Sequence, residues 1–484
     1  IHEEATVSVA VPFMGLFNNL VMFDQNVAKN SFESIVPDLA TDWTWSGDGK
    51  ALTFKLRRDV RWHDGKPFTS ADVRCTFDLL LSTGKLRRNP RAAWYGNVEK
   101  VTSDGEFDVT LHLKAPQPSL LALLASGYSP VYPCHVPPTD MRRKPVGTGP
   151  FKFVELKMNE GVKLTKNTDY WKPGRPYLDG IEYTIIADRS TRMLAFTSAR
   201  FDMTFPTDVS VPLLKNIRND APQAQCTMRA TGVATNLIVN REVPPFDDPK
   251  IRRAMALTLD RQAFIDILSE GQSTMGGAML APPDGVWGLP PEMLKSIIGY
   301  GDVGTAREEA RALMSQAGYG PEKRLKIKVS TRNIATFRDP AVILIDHLKQ
   351  IYIDGELEVI DTSVYYNRVF KKDYAVALNL TGSAVDDPDV TFFEGYACGS
   401  LRNYNNYCNP EMTQLFKAQS RETDRKKRQQ MVWEIDAKLQ EDIARPIISN
   451  GRAAACWHPH VKGVTIQTNS IYNGWRFEDV WLDR

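Results

Sequence analysis

The first half of the chain contains short segments in which apolar and polar residues alternate. The alternation runs through Trp43–Trp45 and Leu52–Leu56, and it returns in Val109–Leu113, Phe151–Leu156 and Val162–Lys166. A period of two residues is typical of β-strands that bury one face. We therefore expect this half of the chain to contain many strands.

Turn and cap signals separate these segments. Ser46–Lys50 (SGDGK) is typical of a tight turn, because Gly allows a positive φ and Asp bonds its own backbone. Asp64-Gly65 predicts a second turn. Thr69 lies three residues before Asp72 and ahead of an apolar stripe, so a capped helix is expected to begin there.

The second half changes to patterns of helices and longer strands. Asp248-Pro249 predicts the start of a helix, and Leu325–Val329 predicts a strand. A helix through Val342–Ile351 and a strand at Leu357–Ile360 follow, which together indicate a βαβ unit. One more amphipathic helix is predicted where Met431, Ile435 and Leu439 recur every four residues.

Composition restricts the class of protein. At 484 residues the chain is too long for one hydrophobic core, so two or three lobes are expected. The 60 Lys and Arg residues nearly balance 58 Asp and Glu residues, so the net charge of +2 would attract neither nucleic acid nor a membrane surface. The basic run Arg425–Arg428 is interpreted as a solvated helix face. No run approaches the roughly 18 apolar residues of a membrane span. Residue 1 is Ile and no signal peptide is present, so a processed or trimmed chain is expected.

Four runs carry a further pattern, and they occur in this order: Pro37–Asp78, Pro145–Ile186, Asn236–Leu259 and Asp386–Asp389. The first reads PDLATDWTWSGDGKALTFKLRRDVRWHDGKPFTSADVRCTFD, and the last reads DDPD. Together they resemble the family 5 extracellular solute-binding proteins, the peptide-binding subunits of ABC importers, over essentially the whole chain. Ile1-His2 resembles the end of a motif that follows the family's first strand, so we expect that strand to be absent here.

The resemblance implies an α/β periplasmic binding protein of the cluster C type, with two main lobes, a hinge and a small extra α+β lobe. Residues 1–18, 149–239 and 456–484 would form the main lobe, and residues 19–148 would form the small lobe. Residues 240–455 would form a second α/β lobe that closes on the main one. The crossings near Asn240 and Cys456 would be the hinge.

The six cysteines fit an oxidising compartment, although six cysteines allow 15 pairings. Cys398 and Cys408 flank a loop rich in Gly, Ser and Asn, and they resemble a loop disulfide of some relatives. Cys75–Cys134 and Cys226–Cys456 are two further pairs that we consider. Buried free thiols are the alternative.

The sequence contains no recognisable catalytic constellation. Gly147–Gly149 lacks the lysine and the spacing of a phosphate loop, and neither a Gly-x-Ser-x-Gly elbow nor a His-Glu-x-x-His pair occurs. Cys456, His458 and His460 alternate and could hold a borderline metal on one face of an extended segment. Pro459 disturbs such a strand and no fourth ligand is evident, so a hinge segment is preferred. We therefore expect no enzyme activity, no cofactor and no metal.

Three aspartates follow the apolar strand Tyr374–Leu380, and carboxylates at a strand end suit either a cation site or a capped turn. A turn is the default from position alone. The resemblance implies more, because an aspartate of this loop pairs with the ligand's α-ammonium in peptide-binding relatives, and Asp386 matches it. Those relatives often carry Trp where this chain has Ser383, so one aromatic wall of the predicted site is absent.

Other candidates come from aromatic and polar residues. Trp94 and Tyr95 lie in a loop that the family directs at the ligand cleft, and Trp287 lies in PPDGVWGLPP. Such residues are favourable contacts, although singly they are more often core residues. Asn236 is polar within a mostly apolar strand, and it would either face the cleft or be a satisfied core amide.

Two arginines are candidates for a ligand carboxylate. Arg332 follows the strand Leu325–Val329, at a strand end where ligands bind in open α/β sheets. Arg402 lies in the loop between Cys398 and Cys408. A surface role is the alternative for both arginines.

We therefore predict a periplasmic, secreted solute-binding protein that closes two lobes over a short peptide or amine-bearing compound and delivers it to an inner-membrane ABC permease. A non-peptide solute, such as an opine, an oligosaccharide or a nickel chelate, is the alternative. A monomer that binds no nucleic acid and does not insert into the membrane is expected. Trp94, Trp287 and Asp386 are expected to contribute most to affinity.

Overall fold

Two compact units make up the chain, and each is a mixture of helices and strands. The computed structural model describes residues 1–4, 6–82 and 84–483. Unit 1 comprises Ile1–Arg229 and Ala453–Arg484, and unit 2 comprises Ala230–Arg452. The finer division into three lobes, with boundaries at residues 19, 149, 240 and 456, stays a prediction.

Helices occur in both units. Those of unit 1 are α1 (Val7–Ala10), α2 (Ser70–Leu81), α3 (Leu120–Ala125), α4 (Pro138–Met141), α5 (Arg189–Thr197) and α6 (Val211–Asp220). Those of unit 2 are α7 (Pro249–Leu257), α8 (Arg261–Ser269), α9 (Pro291–Leu294), α10 (Val303–Gln316), α11 (Ala335–Lys349), α12 (Thr362–Phe370), α13 (Pro388–Gly395), α14 (Pro410–Arg421) and α15 (Arg425–Glu441). Short 3₁₀ helices lie at Val11–Leu16, Phe32–Ser34 and Ala92–Tyr95.

The strands run in chain order through both units. They are β1 (Val21–Phe23), β2 (Ile35–Pro37), β3 (Ala40–Trp45), β4 (Ala51–Leu56), β5 (Val98–Asp104), β6 (Asp108–Leu113), β7 (Phe151–Lys157), β8 (Gly161–Lys166), β9 (Gly180–Thr184), β10 (Gln225–Val239), β11 (Leu325–Arg332), β12 (Ile353–Ile360), β13 (Val376–Gly382), β14 (Ile447–Trp457), β15 (Val461–Lys462) and β16 (Trp481–Leu482).

The alternating segments of the first half form antiparallel sheets in unit 1, as their period predicts. One sheet has the order β3-β4-β6-β5 and another has the order β7-β8-β9. The turn between β3 and β4 is the predicted one: Gly49 has a φ of 67°, and Asp48 Oδ1 accepts from Lys50 N at 3.1 Å. The predicted capped helix is α2, where Asp72 Oδ2 accepts from Thr69 N at 3.0 Å.

Unit 2 is built on one five-stranded sheet with the order β12-β11-β13-β10-β14. β11 and β12 are parallel and α11 connects them, which confirms the βαβ prediction. β13 runs parallel to β11 and antiparallel to β10. Val329, Leu344 and Leu378 are among the fully buried residues of its core, and burying such a side chain contributes about 1.5–3 kcal/mol. The carboxyl ends of β11 and β13 therefore meet at one edge of the sheet.

The chain passes between the units inside two of these strands. The boundaries at residues 229–230 and 452–453 fall within β10 and β14. Cys226 and Cys456 lie just outside these boundaries, in unit 1, and a disulfide joins them. Disulfides also join Cys75 to Cys134 and Cys398 to Cys408. All three considered pairings are confirmed, and the alternative of free thiols is wrong.

Candidate ligand site at the end of strand β13

The loop after β13 connects the sheet of unit 2 to helix α13. Ser383 N donates to Gly232 O at 2.8 Å, and Ser383 Oγ donates to Val385 O at 2.5 Å. Asp387 N donates to Val385 O at 2.9 Å, and Asp387 Oδ1 accepts from Asp389 N at 2.9 Å. The last bond caps the amino end of α13. The DDPD motif therefore begins a helix through a tight turn.

Two of the three aspartates are turned into unit 2, where they bind Arg428. Arg428 Nη1 and Nη2 donate to the two oxygens of Asp387 at 3.0 and 2.9 Å, and Nη2 also donates to Asp389 Oδ1 at 3.3 Å. All three side chains are buried. The capped-turn alternative is thus correct for Asp387 and Asp389, and the cation that they hold is an arginine of this chain.

This contact corrects the interpretation of Arg425–Arg428 as a solvated helix face. Arg425, Lys426 and Lys427 are exposed, whereas Arg428 is 5% exposed. Four consecutive helical residues point in directions about 100° apart, so one of them faces the interior. Arg428, Val432, Ile435 and Leu439 lie on the buried face of α15. The four-residue spacing of Met431, Ile435 and Leu439 points instead to Lys427, which is exposed, whereas the buried face runs through Val432 and reaches Arg428 one turn earlier.

The polar network around Arg428 is continuous. Arg428 Nε donates to Gln419 Oε1 at 3.0 Å, and Gln419 Nε2 donates to Asp389 Oδ1 at 2.7 Å. Ser420 Oγ donates to Asp389 Oδ2 at 2.6 Å. Burial raises the pKa of Asp387 and outweighs the opposing charge of Arg428. A shared guanidinium thus only partly compensates for the removal of this carboxylate from water.

Asp386 is oriented differently and contacts the loop that carries Trp287. Its Oδ2 accepts from Val286 N at 3.1 Å, and its Oδ1 is also buried. Trp287 itself is buried, and the Arg428 guanidinium lies 4.7 Å from the centre of its ring. The structure therefore brings together two residues predicted from separate parts of the sequence, Asp386 and Trp287.

Residues of α15 that were not predicted fix the Trp287 loop. Gln429 Nε2 donates to Val286 O at 2.6 Å, and Trp433 Nε1 donates to Gly288 O at 2.9 Å. Both contacts are made to backbone carbonyls, which every residue type carries. The sequence of the Trp287 loop therefore gave no signal for them.

The two candidate arginines occupy different environments. Arg402 is 4% exposed, and its Nη1 donates to the buried Glu394 Oε2 at 2.6 Å while Nη2 donates to Gly382 O at 3.2 Å. Arg332 is 8% exposed and donates from Nε to Thr362 Oγ1 at 3.3 Å. Among the described residues, no carboxylate forms an ion pair with Arg332. Arg402 is therefore suited to support the end of β13, and Arg332 is better suited to bind an anionic group.

Asn236 has the environment of a core amide. It is fully buried, its Nδ2 donates to Ala234 O at 2.9 Å, and its Oδ1 accepts from Thr381 Oγ1 at 3.4 Å. It lies opposite Asn379, whose Oδ1 accepts from Tyr365 OH at 3.2 Å. These contacts favour the core alternative for Asn236.

Trp94 and Tyr95 lie in the interior of unit 1. Each is 1% exposed, and both belong to the 3₁₀ helix Ala92–Tyr95. Tyr95 OH is 2.8 Å from Ser129 Oγ, and its ring packs edge-on against Phe77. The contact of this pair with a ligand stays a prediction.

The CWHPH segment has no metal-binding geometry. Cys456 is in a disulfide, and His458 Nε2 is 2.9 Å from Phe196 O. His460 Nε2 is 2.7 Å from Asp202 Oδ1. Within residues 1–4, 6–82 and 84–483, no group of three side chains suited to a metal occurs. The oxidised Cys456 cannot supply the thiolate of the alternative that we considered.

A separate cavity of about 650 Å³ lies inside unit 1. Phe13, Phe17, Tyr132, Met141 and Phe153 are among its lining residues. None of the site residues predicted from the sequence lines this cavity.

The family described as bacterial extracellular solute-binding proteins, family 5 Middle, matches residues 34–402. The chain belongs to this family. Family 5 is a class of solute-binding proteins and not an enzyme class, which agrees with the resemblance found in the sequence. No helix in the described part of the chain is long and apolar enough to cross a membrane.

Relatives of this family 5 chain share its fold closely and its sequence less so. A putative ABC transporter peptide-binding protein of Brucella ovis is 30% identical over 371 residues, which is 74% of this chain and 65% of that protein. The structure of DppA from Helicobacter pylori with the peptide STSA is 22% identical, with a TM-score of 0.85 over 100% of this chain and 95% of that chain. AgaA from A. tumefaciens R10 with agropinic acid is 23% identical, with a TM-score of 0.85 over 100% and 96%. These structures confirm the periplasmic binding protein fold.

Proposed function

We propose that this family 5 chain binds a short peptide or another small solute with a positively charged amine and delivers it to an ABC permease. The observation that carries the proposal is the position of Asp386, at the carboxyl end of β13 and bonded to the Trp287 loop. Ligands of open α/β sheets bind at such strand ends. The Brucella ovis relative is a putative peptide-binding protein and the DppA structure contains a peptide, and both support a peptide ligand.

Asp386 is the aspartate of the motif that is suited to this role. Asp387 and Asp389 are turned onto Arg428, whereas Asp386 contacts the Trp287 loop. A carboxylate oxygen accepts more than one hydrogen bond, so a carboxylate bonded to Val286 N would also be able to accept one from a ligand ammonium. A charge-assisted bond of this kind contributes about 1.5–3 kcal/mol.

Arg332 would bind the opposite end of a zwitterionic solute. It is the last residue of β11, and the pairing of Ser330 with Ala377 places it level with Asn379 of β13. Asn379 precedes Gly382 by three residues, which is about 10 Å along a strand. Arg332 therefore lies about 10 Å before the end of β13, and a carboxylate bound there together with an amine at Asp386 would suit the two ends of a short peptide.

We propose that the chain works in the periplasm, as a monomer, and releases its ligand unaltered. Three disulfides support an oxidising compartment. Closure of two lobes over the ligand stays part of this proposal.

Calorimetric titration with trialanine and N-acetyl-trialanine tests the amine contact. The wild-type chain should bind trialanine at least about tenfold more tightly, and Asp386→Ala should remove most of this preference. Asp346→Ala removes an exposed carboxylate of the same unit and serves as the control. Equal affinity of the wild-type chain for both peptides would refute the amine-pairing role. Chromatography of the recovered peptide tests whether it is unaltered.

An opine is the second candidate ligand, and two observations favour it. AgaA with agropinic acid matches the whole chain in fold, and Ser383 provides no aromatic wall. Agropinic acid at 100 times its Kd would stabilise the chain by about 2.7 kcal/mol, which raises its melting temperature by several degrees. A shift with agropinic acid and none with trialanine would replace the peptide proposal by the opine proposal.

A further inference from the structure

Helix α15 holds the Trp287 loop along one of its faces. Gln429 and Trp433 donate to the carbonyls of Val286 and Gly288. Further along the helix, Asp436 accepts from Ala278 N at 2.8 Å and from Met279 N at 3.3 Å. From residue 429 to residue 436 the helix rises about 10 Å. The segment that carries Trp287 is therefore fixed at several points on a rigid element.

Arg428 contacts both this segment and the aspartate loop. The edge of its guanidinium binds Asp387 and Asp389, and its Nε binds Gln419. Its centre lies 4.7 Å from the centre of the Trp287 ring. The guanidinium of Arg428 thus contacts both the Trp287 ring and the loop in which Asp386 lies.

We infer that Arg428 is a positioning residue of the ligand site, which sets Trp287 and the Asp386–Asp389 loop relative to each other and so tunes the preference for a ligand amine. This inference rests on the proposed function. Its chemistry requires arginine, because a guanidinium offers a fork of donors and a flat face at the same time. Lysine keeps the charge but has neither the fork nor the face, so Arg428→Lys separates geometry from charge.

The first measurement needs no ligand. The chain is labelled with 5-fluorotryptophan, and Trp287→Phe assigns the Trp287 resonance in the fluorine NMR spectrum. Arg428→Lys should shift or broaden this resonance more than those of the other tryptophans. Lys426→Gln changes an exposed residue of the same basic run and should leave it unchanged. An unchanged Trp287 resonance in Arg428→Lys would overturn the inference.

The second measurement is the ratio of the Kd values for N-acetyl-trialanine and trialanine. Arg428→Lys should lower this ratio at least about threefold, and Lys426→Gln should not change it. If Arg428→Lys weakens both peptides by the same factor, the residue is merely structural and the inference is wrong. If the wild-type chain binds neither peptide, the peptide part of the proposed function is refuted, whereas the fluorine spectra still decide whether Arg428 positions Trp287.

A second variant covers the possibility that Arg428→Lys does not fold. Gln419→Leu removes the contact of Arg428 Nε and the bond from Gln419 Nε2 to Asp389 Oδ1, and it keeps the ion pairs of Arg428 with Asp387 and Asp389. It should move the Trp287 resonance in the same direction by a smaller amount. A Gln419→Leu chain with the spectrum and the Kd ratio of the wild type would contradict the inference.

Discussion

Each unit contains a buried carboxylate that forms ion pairs with arginine, but the pKa values of the two carboxylates shift in opposite directions. In unit 1, Glu3 accepts from Arg142 Nη2 at 2.6 Å and from Arg87 Nε at 2.8 Å. Burial opposes ionisation of Glu3, but the bonds from Arg142 and Arg87 outweigh it and lower its pKa to about 2. In unit 2, burial prevails and raises the pKa of Asp387 although Arg428 binds it through both oxygens.

The two acids differ in how deeply they are buried and in how many cations bind them. Two arginines bind Glu3, whereas Asp387 and Asp389 share the guanidinium of Arg428. Asp389 also raises the pKa of Asp387 by repulsion. The short distances are similar in both places, so ion-pair geometry alone does not tell whether a pair stabilises the fold. Predictions can therefore be made for each site from its neighbours.

Removing Arg428 should produce the largest effect. Arg428→Met leaves two buried carboxylates without their guanidinium, and the free energy of unfolding should fall by about 3–5 kcal/mol. Urea unfolding measures the loss of unfolding free energy, and hydrogen exchange of the backbone amides shows whether it occurs in unit 2. Lys426→Gln should stay within about 0.5 kcal/mol of the wild type.

A combined variant sharpens this result. Arg428→Met together with Asp387→Asn and Asp389→Asn removes the charges as a set, and asparagine at 387 can still cap α13. We expect it to recover more than half of the loss. A combined variant that is less stable than Arg428→Met alone would show that hydrogen bonding, and not uncompensated charge, dominates this network.

These buried networks mark the limit of what the sequence could predict. The strands β3, β4 and β6, the cap of α2 and the βαβ unit followed from local periodicity and turn chemistry, and the structure has them. Such features depend on residues close in sequence, so a pattern read along the chain contains them.

The site was harder to predict because its contacts join distant segments. Val286 and Asp386 are 100 residues apart, and Arg428 meets Asp387 across 41 residues. A charged run is usually solvated, and the exception at Arg428 depends on acids contributed by another element. Aromatic residues on loops gave equally ambiguous signals: Trp287 contacts the site, whereas Trp94 lies in the interior of unit 1.

The stability of the two units should change in opposite directions with pH, because His63 of unit 1 and Asp436 of unit 2 have pKa values shifted in opposite directions. In unit 1, burial lowers the pKa of His63 from 6.5 to about 4. The hydrogen bond to Gly149 O and the charge of Asp64 oppose this shift, and the charge of Lys152 adds to it. The structure explains this, since His63 Nδ1 accepts from Gly147 N at 3.1 Å and is lost as an acceptor on protonation. In unit 2, burial raises the pKa of Asp436 from 3.8 to about 6.

The direction of each change in stability follows from the difference between the folded and unfolded pKa values. The stability contributed by His63 is present above pH 6.5 and is lost as the pH falls through about 4. That contributed by Asp436 is present below pH 3.8 and is lost as the pH rises through about 6. Each amounts to about 2–3 kcal/mol.

Lowering the pH from 6.5 to 4.5 should therefore reduce hydrogen-exchange protection in unit 1 and increase it in unit 2. His63→Gln should flatten the response of unit 1, and Asp436→Asn should flatten that of unit 2. Parallel changes in both units would contradict the assignment to these two residues.

A smaller effect is expected at Glu3. Its folded pKa is depressed, so its contribution is present above pH 4.5 and is lost as the pH falls towards about 2. Because the Arg87 side chain is 59% exposed and solvent screens its charge, Glu3→Gln should lower the free energy of unfolding by only about 1–2 kcal/mol at pH 7. Urea unfolding at pH 7 and at pH 3 tests this, because the difference between variant and wild type should shrink at the lower pH. A difference that is the same at both pH values would mean that packing, and not charge, explains the loss.

The smallest effect on ligand affinity is expected from a substitution at Trp94. This prediction distinguishes the aromatic residue of unit 1 from that of unit 2. Trp94 is 1% exposed and belongs to the interior of unit 1, whereas Trp287 is part of the segment bonded to Asp386. Trp94→Phe should therefore lower the melting temperature but change the Kd for trialanine less than about twofold, because the buried ring of Trp94 packs in the interior of unit 1. Trp287→Phe serves as the matched variant and should weaken trialanine at least about fivefold, since an aromatic wall in a small-ligand site carries much of the affinity. A Trp94→Phe chain that melts normally yet loses trialanine would instead place the ligand against unit 1, and it would restore Trp94 to the role that its loop suggested.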